Sequence, residues 1–231
     1  MVIFWRFDLV ERRLFKNDLH SASTKYYSMN EGVWYYKVYK KLSERVLMEN
    51  LIALVDIDDN ITGYGTKEEV HRRGLLHRAF SVFVVRDGKM LIQMRNPDKY
   101  HSGGLWSNAC CSHQRKGEQL TESVHRRMTE ELGFDCSLEE IFDFVYRTQF
   151  KEDLVEYEYD HVFAGCYDGE VRVNPKEASQ IRWIAFEDLK RELEKTPERF
   201  SSWFIIAAPK VMAFLEKTGG HLCEQNVEGE R

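Results

Sequence analysis

With 231 residues, 43% of them apolar and 13% aromatic, the chain is long enough to bury a substantial core and suits one domain, or one domain with an extension. Its 38 acidic and 33 basic residues give a formal charge of −5 and are mixed along the chain, so the basic footprint of a nucleic-acid binder is missing. The longest apolar runs, 80–85 and 203–209, are too short to span a bilayer. The five cysteines, Cys110, Cys111, Cys136, Cys166 and Cys223, are odd in number, and the N-terminus shows no leader of basic head, apolar stretch and small-residue cleavage site. Free thiols in a reducing cytoplasm are the expectation.

Residues 1–47 scatter Trp5, Trp34, Tyr35, Tyr36 and Tyr39 among basic residues without a strand or helix period, which reads as an N-terminal extension, with Met48 a candidate start. Residues 51–57 then read as a strand and Asp58-Asp59-Asn60 as a turn. Strands at 79–85 and 90–94 join at Asp87-Gly88, a hairpin dipeptide. Residues 97–104, with Pro97, Gly103 and Gly104, form a loop. Over 118–132 the apolar residues Leu120, Val124, Met128 and Leu132 recur at steps of four, an amphipathic helix closed by Gly133. Strands follow at 141–150, 156–167, 171–173 and 181–184, then a helix at 187–193. A last helix starts at Ser201 or Ser202, is expected to kink at Pro209, and gives way to a polar tail over 219–231. Mixed strands and helices without regular alternation make the fold class α+β, with one domain over 48–218.

Glu156-Tyr157-Glu158 sits in a strand pattern, and side chains at i and i+2 share a face. Two neighbouring carboxylates repel unless a cation lies between them, although a solvated strand face has the same pattern. Cys111 and His113 repeat the spacing in a stretch too polar for ordinary core, and His71 and His77 flank a basic and apolar run. Three histidines, two carboxylates and a thiol can close a mixed nitrogen and oxygen metal site if the fold brings them together. On the 118–132 helix, Arg126 with Glu130 and Arg127 with Glu131 are i, i+4 pairs.

That helix resembles a Nudix box, the segment that holds divalent metal against a diphosphate, with Glu118, Arg126, Glu130, Glu131 and Gly133 in register. It departs from the box at Ser112, where glycine is usual, and at Arg127, where a glutamate would help bind a hydrolytic metal cluster. Both departures are features of the type I isopentenyl-diphosphate isomerase family. Four further runs resemble it: Gly74-Leu75-Leu76-His77-Arg78-Ala79-Phe80-Ser81, Leu105-Trp106-Ser107-Asn108-Ala109-Cys110-Cys111-Ser112-His113, Glu156-Tyr157-Glu158 and Ser202-Trp203. The similarity covers about residues 51–215.

The resemblance implies a Nudix-like fold of mixed and antiparallel sheets flanked by helices, and a cytoplasmic isomerase that is a monomer or weak dimer. Its substrate would be a small prenyl diphosphate, with no nucleic acid and no membrane span involved. One divalent ion (Mn2+, Zn2+ or Mg2+) would be held by His71, His77, His113, Glu156 and Glu158. Cys111 and Glu158 would be the catalytic pair, with Tyr146 bonded to the catalytic carboxyl and Trp203 offering its π face to a carbocation. Lys67, Arg95, Lys99 and Arg127 would grip the diphosphate, and Glu131 would help hold Mg2+ that arrives with it. Ser102-Gly103 stands where some relatives carry an aromatic residue and proline, which alters the pocket wall.

Overall fold

The computed structural model describes residues 50–218. The expected extension at 1–47 with Met48, and the tail at 219–231 with Cys223, lie outside the described residues. The elements in chain order among the described residues are β1 (Leu51–Val55), β2 (Ile61–Thr66), α1 (Lys67–Arg73), β3 (His77–Arg86), β4 (Lys89–Arg95), β5 (Trp106–Ser107), β6 (Cys110–His113), α2 (Leu120–Leu132), β7 (Leu138–Lys151), β8 (Leu154–Cys166), β9 (Ala178–Ala185), α3 (Phe186–Lys195) and α4 (Ser202–Lys217), with a 3-10 turn at Pro197–Arg199. The α+β expectation holds. No helix among the described residues is long and apolar enough to cross a membrane.

β3 organises the sheet. Along one edge it pairs in parallel with β8, His77 beside Glu158 and Val85 beside Cys166. Along its other edge three strands follow one another: β1 at His77, β6 over residues 79–82, and β4 over residues 84–86. The hairpin partner β4 leaves β3 after that short stretch and continues into β9 and β5. The parting of β3 and β4 is what admits β6, and with it Cys111 and His113, beside the middle of β3.

Alternation along β3 and β4 feeds two cores on opposite faces. Phe83, Val85, Met90 and Ile92 meet Phe204, Ala207 and Val211 of α4 on one face. Phe80, Val82, Val84 and Leu91 meet Val124, Met128 and Leu132 of α2 on the other. Each of these α2 side chains is fully buried, a gain of roughly 1.5–3 kcal/mol apiece. The helix is bounded by a capping box between Gln119 and Glu122 and by Gly133 at φ 72°, the left-handed conformation that favours glycine.

The edge strand β2, the two-residue strand β5 and the short helix α1 escaped the sequence pattern; in α1 the Thr66 side chain accepts from the Glu69 amide and Gly74 closes the end at φ 59°. The strand expected at 171–173 does not form. Its backbone donors serve α2 instead, Arg172 N–H bonding Leu132 O at 2.9 Å and Asn174 N–H bonding Glu131 O at 2.7 Å, because the last carbonyls of a helix have no partner within it. α4 runs unbroken through Pro209, an exposed position where water meets the carbonyl that the missing N–H leaves free. Cys110, Cys111 and Cys136 are free thiols, but Cys166 is disulfide-bonded, which corrects the expectation of five free cysteines. Cys166 is half-buried at the end of β8, and cysteine spacing alone does not reveal its pairing.

Candidate active site

The site grows from the row of strands β7, β8, β3 and β6. Tyr146 and His77 flank Glu158 in register, His113 lies beside Ala79, and Cys111 lies beside Ser81. Tyr146, His77, Glu158, His113 and Cys111 all point to the α4 face, as the period of two requires. α1 adds His71 and α4 adds Trp203.

His71, His77, His113 and Glu158 offer four ligand atoms within 4.8 Å of one another, and all four residues are buried. The two Nε2 atoms of His71 and His77 are 3.2 Å apart, and Glu158 Oε1 lies 3.0 Å from His113 Nε2 and 3.4 Å from His77 Nε2. Ligands about 2.1 Å from one ion stand about 3–3.5 Å apart, so the set fits a divalent cation. His77 Nδ1 bonds Leu75 O at 2.8 Å, which places its proton there and leaves a lone pair on Nε2. Burial, with the neighbouring imidazoles, pushes His71 down to about 2, and burial pushes His113 down to about 3. Neutral rings are what a metal requires. Burial alone would raise the Glu158 carboxyl, but the His113 and His77 imidazoles beside it hold it well below the usual range.

Glu156 stands next to this group rather than in it. Its oxygens lie 2.9 Å from His101 Nε2 and 3.0 Å from the Tyr146 hydroxyl, which donates to Glu158 at 2.6 Å as well. Burial and the two carboxylates raise the Tyr146 hydroxyl well above its ordinary range, so it remains a donor. Burial lifts Cys111 to about 12 against the pull of Arg95, and the sulfur keeps its proton at neutral pH.

Cys111, Glu158, Glu156, Tyr146 and Trp203 line one small cavity of about 40 Å³. Because β6 and β8 lie on opposite edges of β3, the thiol and the carboxylate line the cavity from either side of that strand. A second chamber of about 150 Å³ adjoins it, sharing Lys67, Arg95, Cys111 and Ser112. Lys67, Arg95, Lys99, Arg127 and Glu131 all line it. Arg127 bonds Glu131 at 2.5 Å and Glu177 at 3.0 Å, and Lys99 pairs with Glu177. Both expected i, i+4 pairs of α2 are formed, Arg126 with Glu130 at 3.1 Å and Arg127 with Glu131.

The NUDIX domain matches residues 75–204. Isopentenyl-diphosphate Delta-isomerase 2 of Aromatoleum aromaticum is 42% identical over 181 residues, 78% of this chain and 96% of its own length. Isopentenyl-diphosphate Delta-isomerase of Burkholderia multivorans is 45% identical over 158 residues, 68% of this chain and 90% of its own. The chain belongs to the isopentenyl-diphosphate Delta-isomerase family. A solved structure of DR0079 from Deinococcus radiodurans, 20% identical, superposes with a TM-score of 0.52 over 63% of this chain and 90% of that one, which supports the Nudix fold.

In this isomerase-family site several residues had no sequence signal strong enough to single them out. Asn108 accepts the Trp203 indole N–H at 2.9 Å and donates to Val82 O at 3.3 Å, so it aims the ring. Gln93 donates to Glu131 at 3.2 Å, and its own Oε1 is buried without a partner. An amide inside the apolar run of β4 was the available clue. His101 and Glu177 sit in loops, where no periodicity marks a side chain's direction. Asp160, on the site face of β8, accepts from Ser81 at 2.8 Å, and burial with Glu158 nearby raises its carboxyl well above the usual range.

Proposed function

We propose that Cys111 and Glu158 carry the interconversion of isopentenyl and dimethylallyl diphosphate, one giving a proton to the alkene and the other removing one from its opposite face. The chain is an isomerase of isoprenoid biosynthesis, as its family membership states. The observation that carries the residue assignment is the cavity lined by both this thiol and this carboxylate, next to a chamber lined by four basic side chains.

An unactivated alkene is a weak base, so the difficult species is a tertiary carbocation that must be stabilised and kept from water. The Trp203 face suits that task, a contact worth about 2 kcal/mol once desolvated. In this structure the Arg95 guanidinium lies 5.0 Å from the ring centre. On binding, Arg95 turns to the diphosphate with Lys67, Lys99 and Arg127, and the ring is left to the hydrocarbon. Tyr146 holds the Glu158 carboxyl in line, and the proton-giving and proton-taking groups exchange roles when the reaction runs backwards.

A divalent ion, Mn2+, Zn2+ or Mg2+, would be held by His71, His77, His113 and Glu158 with Glu156 beside them, and would supply the charge that fixes the Glu158 carboxylate. Mg2+ arriving with the diphosphate would meet Glu131 and the unpartnered Gln93 Oε1, oxygen ligands that such a hard cation prefers. Arg127 in place of an acidic box residue removes a ligand for hydrolytic metal and adds charge for the phosphates. The test is NMR of isopentenyl diphosphate in deuterated buffer with metal present. The dimethylallyl isomer carrying solvent deuterium is the expected product; released phosphate with no isomer would overturn the reading in favour of a Nudix diphosphatase.

A further inference from the structure

The loop that joins β4 to β5 sends two side chains into the histidine and glutamate cluster, and the reaction as written above uses neither. The Tyr100 hydroxyl lies 2.5 Å from His71 Nδ1 with the rings stacked at 5.7 Å. His101 Nε2 lies 2.9 Å from Glu156 Oε1. Its ring stacks on Phe150 at 4.8 Å and meets the edge of Trp203 at 6.1 Å, and it is only 7% exposed.

The loop is built to hold both. Arg95 N–H bonds Leu105 O at 2.9 Å and Gly104 N–H bonds Arg95 O at 3.0 Å, closing its neck. A Cβ at Gly103 would lie 2.5 Å from Pro97 O, so only glycine permits the close approach of the two arms. Lys99, one residue before Tyr100, is tied to Glu177 in the charged chamber.

His71 presents Nε2 to the cluster, 3.2 Å from His77 Nε2. That nitrogen offers a lone pair only when the ring proton resides on Nδ1, and there the Tyr100 oxygen accepts it. Tyr100 therefore selects the tautomer that can bind a cation, the part which an outer hydrogen bond plays for a metal-bound imidazole. Glu156 has one oxygen held by Tyr146 and the other by His101, which keeps its carboxylate beside Glu158 instead of turned away.

We propose that Tyr100 and His101 are positioning residues of the cation site, Tyr100 acting through the ring of His71 and His101 through the carboxylate of Glu156, so that the loop bearing Lys99 also sets cation affinity. The inference rests on the reading of the His71, His77, His113 and Glu158 group as a cation site.

The experiment measures the affinity of the full chain for Mn2+ and for Zn2+ by competition with a chelator, without substrate. The parent, Tyr100→Phe, His101→Phe, His101→Gln and His113→Ala are compared. Tyr100→Phe removes a single oxygen from a residue 44% exposed, so its folding is not at stake, and His101→Phe keeps the stacking ring. Each Phe variant is expected to bind ten- to a hundredfold more weakly, while His101→Gln, which restores an N–H at similar reach, recovers most of the affinity. Absorption of the Co2+-loaded Tyr100→Phe protein should shift from that of the parent. Affinities within twofold of the parent in both Phe variants, with His113→Ala strongly impaired, would overturn the inference and leave the cation site standing. A parent that binds no cation, or binds it as well after His113→Ala, removes the site itself and the inference with it.

Discussion

Neighbouring residues in β6 have opposite fates because a strand turns successive side chains to opposite faces. Cys110 is buried against α2 and its thiol is raised well above the ordinary range by that burial, whereas Cys111 lines the cavity with Glu158. Cys111→Ala and Glu158→Gln are each expected to lower kcat by about a thousandfold or more with the fold intact. Cys110→Ala should keep near-parent kinetics, and steady-state rates on purified variants check the contrast. The histidines give a pH prediction for the metal-free protein. His71 and His113 are held down to about 2 and about 3 when folded, against about 6.5 when unfolded. Between these values the unfolded chain binds more protons, so stability is complete above about pH 6.5 and falls as pH drops toward 3, by about 1.4 kcal/mol per pH unit for each ring. The depressed Glu158 acts in the same direction below its ordinary value. Melting in excess chelator at pH 7 and pH 5 tests this, and an unchanged Tm would contradict the neutral buried rings.

At the scale of elements, the C-terminus of α2 makes the sharpest demand on sequence. Gly133 has φ 72°, and a Cβ there would lie 2.9 Å from Arg172 O, in the segment that caps the last carbonyls of the helix. Gly133→Ala should cost about 1–3 kcal/mol, read as a lower Tm, and should also weaken diphosphate binding, because Glu131 lies two residues earlier. This helix was legible because its apolar residues repeat over 13 residues. The β3–β4 hairpin was legible too, because Asp87 and Gly88 both take positive φ, as such a dipeptide allows. α1 has seven residues, too few for a period, and β2 is largely exposed at the sheet edge with two glycines. Strand alternation by itself puts Glu156 with Glu158 and Cys111 with His113. It has no means to find Tyr100 or His101, whose directions are set by one loop's closure.

At the scale of the molecule, the parallel pairing of β3 with β8 joins segments 81 residues apart at His77 and Glu158, a separation across which local patterns carry no information. Only the family resemblance brought those residues together in advance. Every residue given a role lies between Lys67 and Trp203. A chain starting at Met48 is therefore expected to fold and isomerise with similar kinetics; a Tm lower by more than about 10 °C would count the first 47 residues as part of the core. The two adjoining chambers have a consequence for what the enzyme can distinguish. The charges proposed to grip the diphosphate line the larger chamber, and in that role they would see the same head group whether the double bond is terminal or internal. Their contribution is equal for substrate, transition state and product, so it sets KM and leaves kcat to the smaller cavity. Inorganic diphosphate should occupy the larger chamber and compete with both isomers, and the balance between the two isomers at equilibrium remains a property of the alkenes themselves.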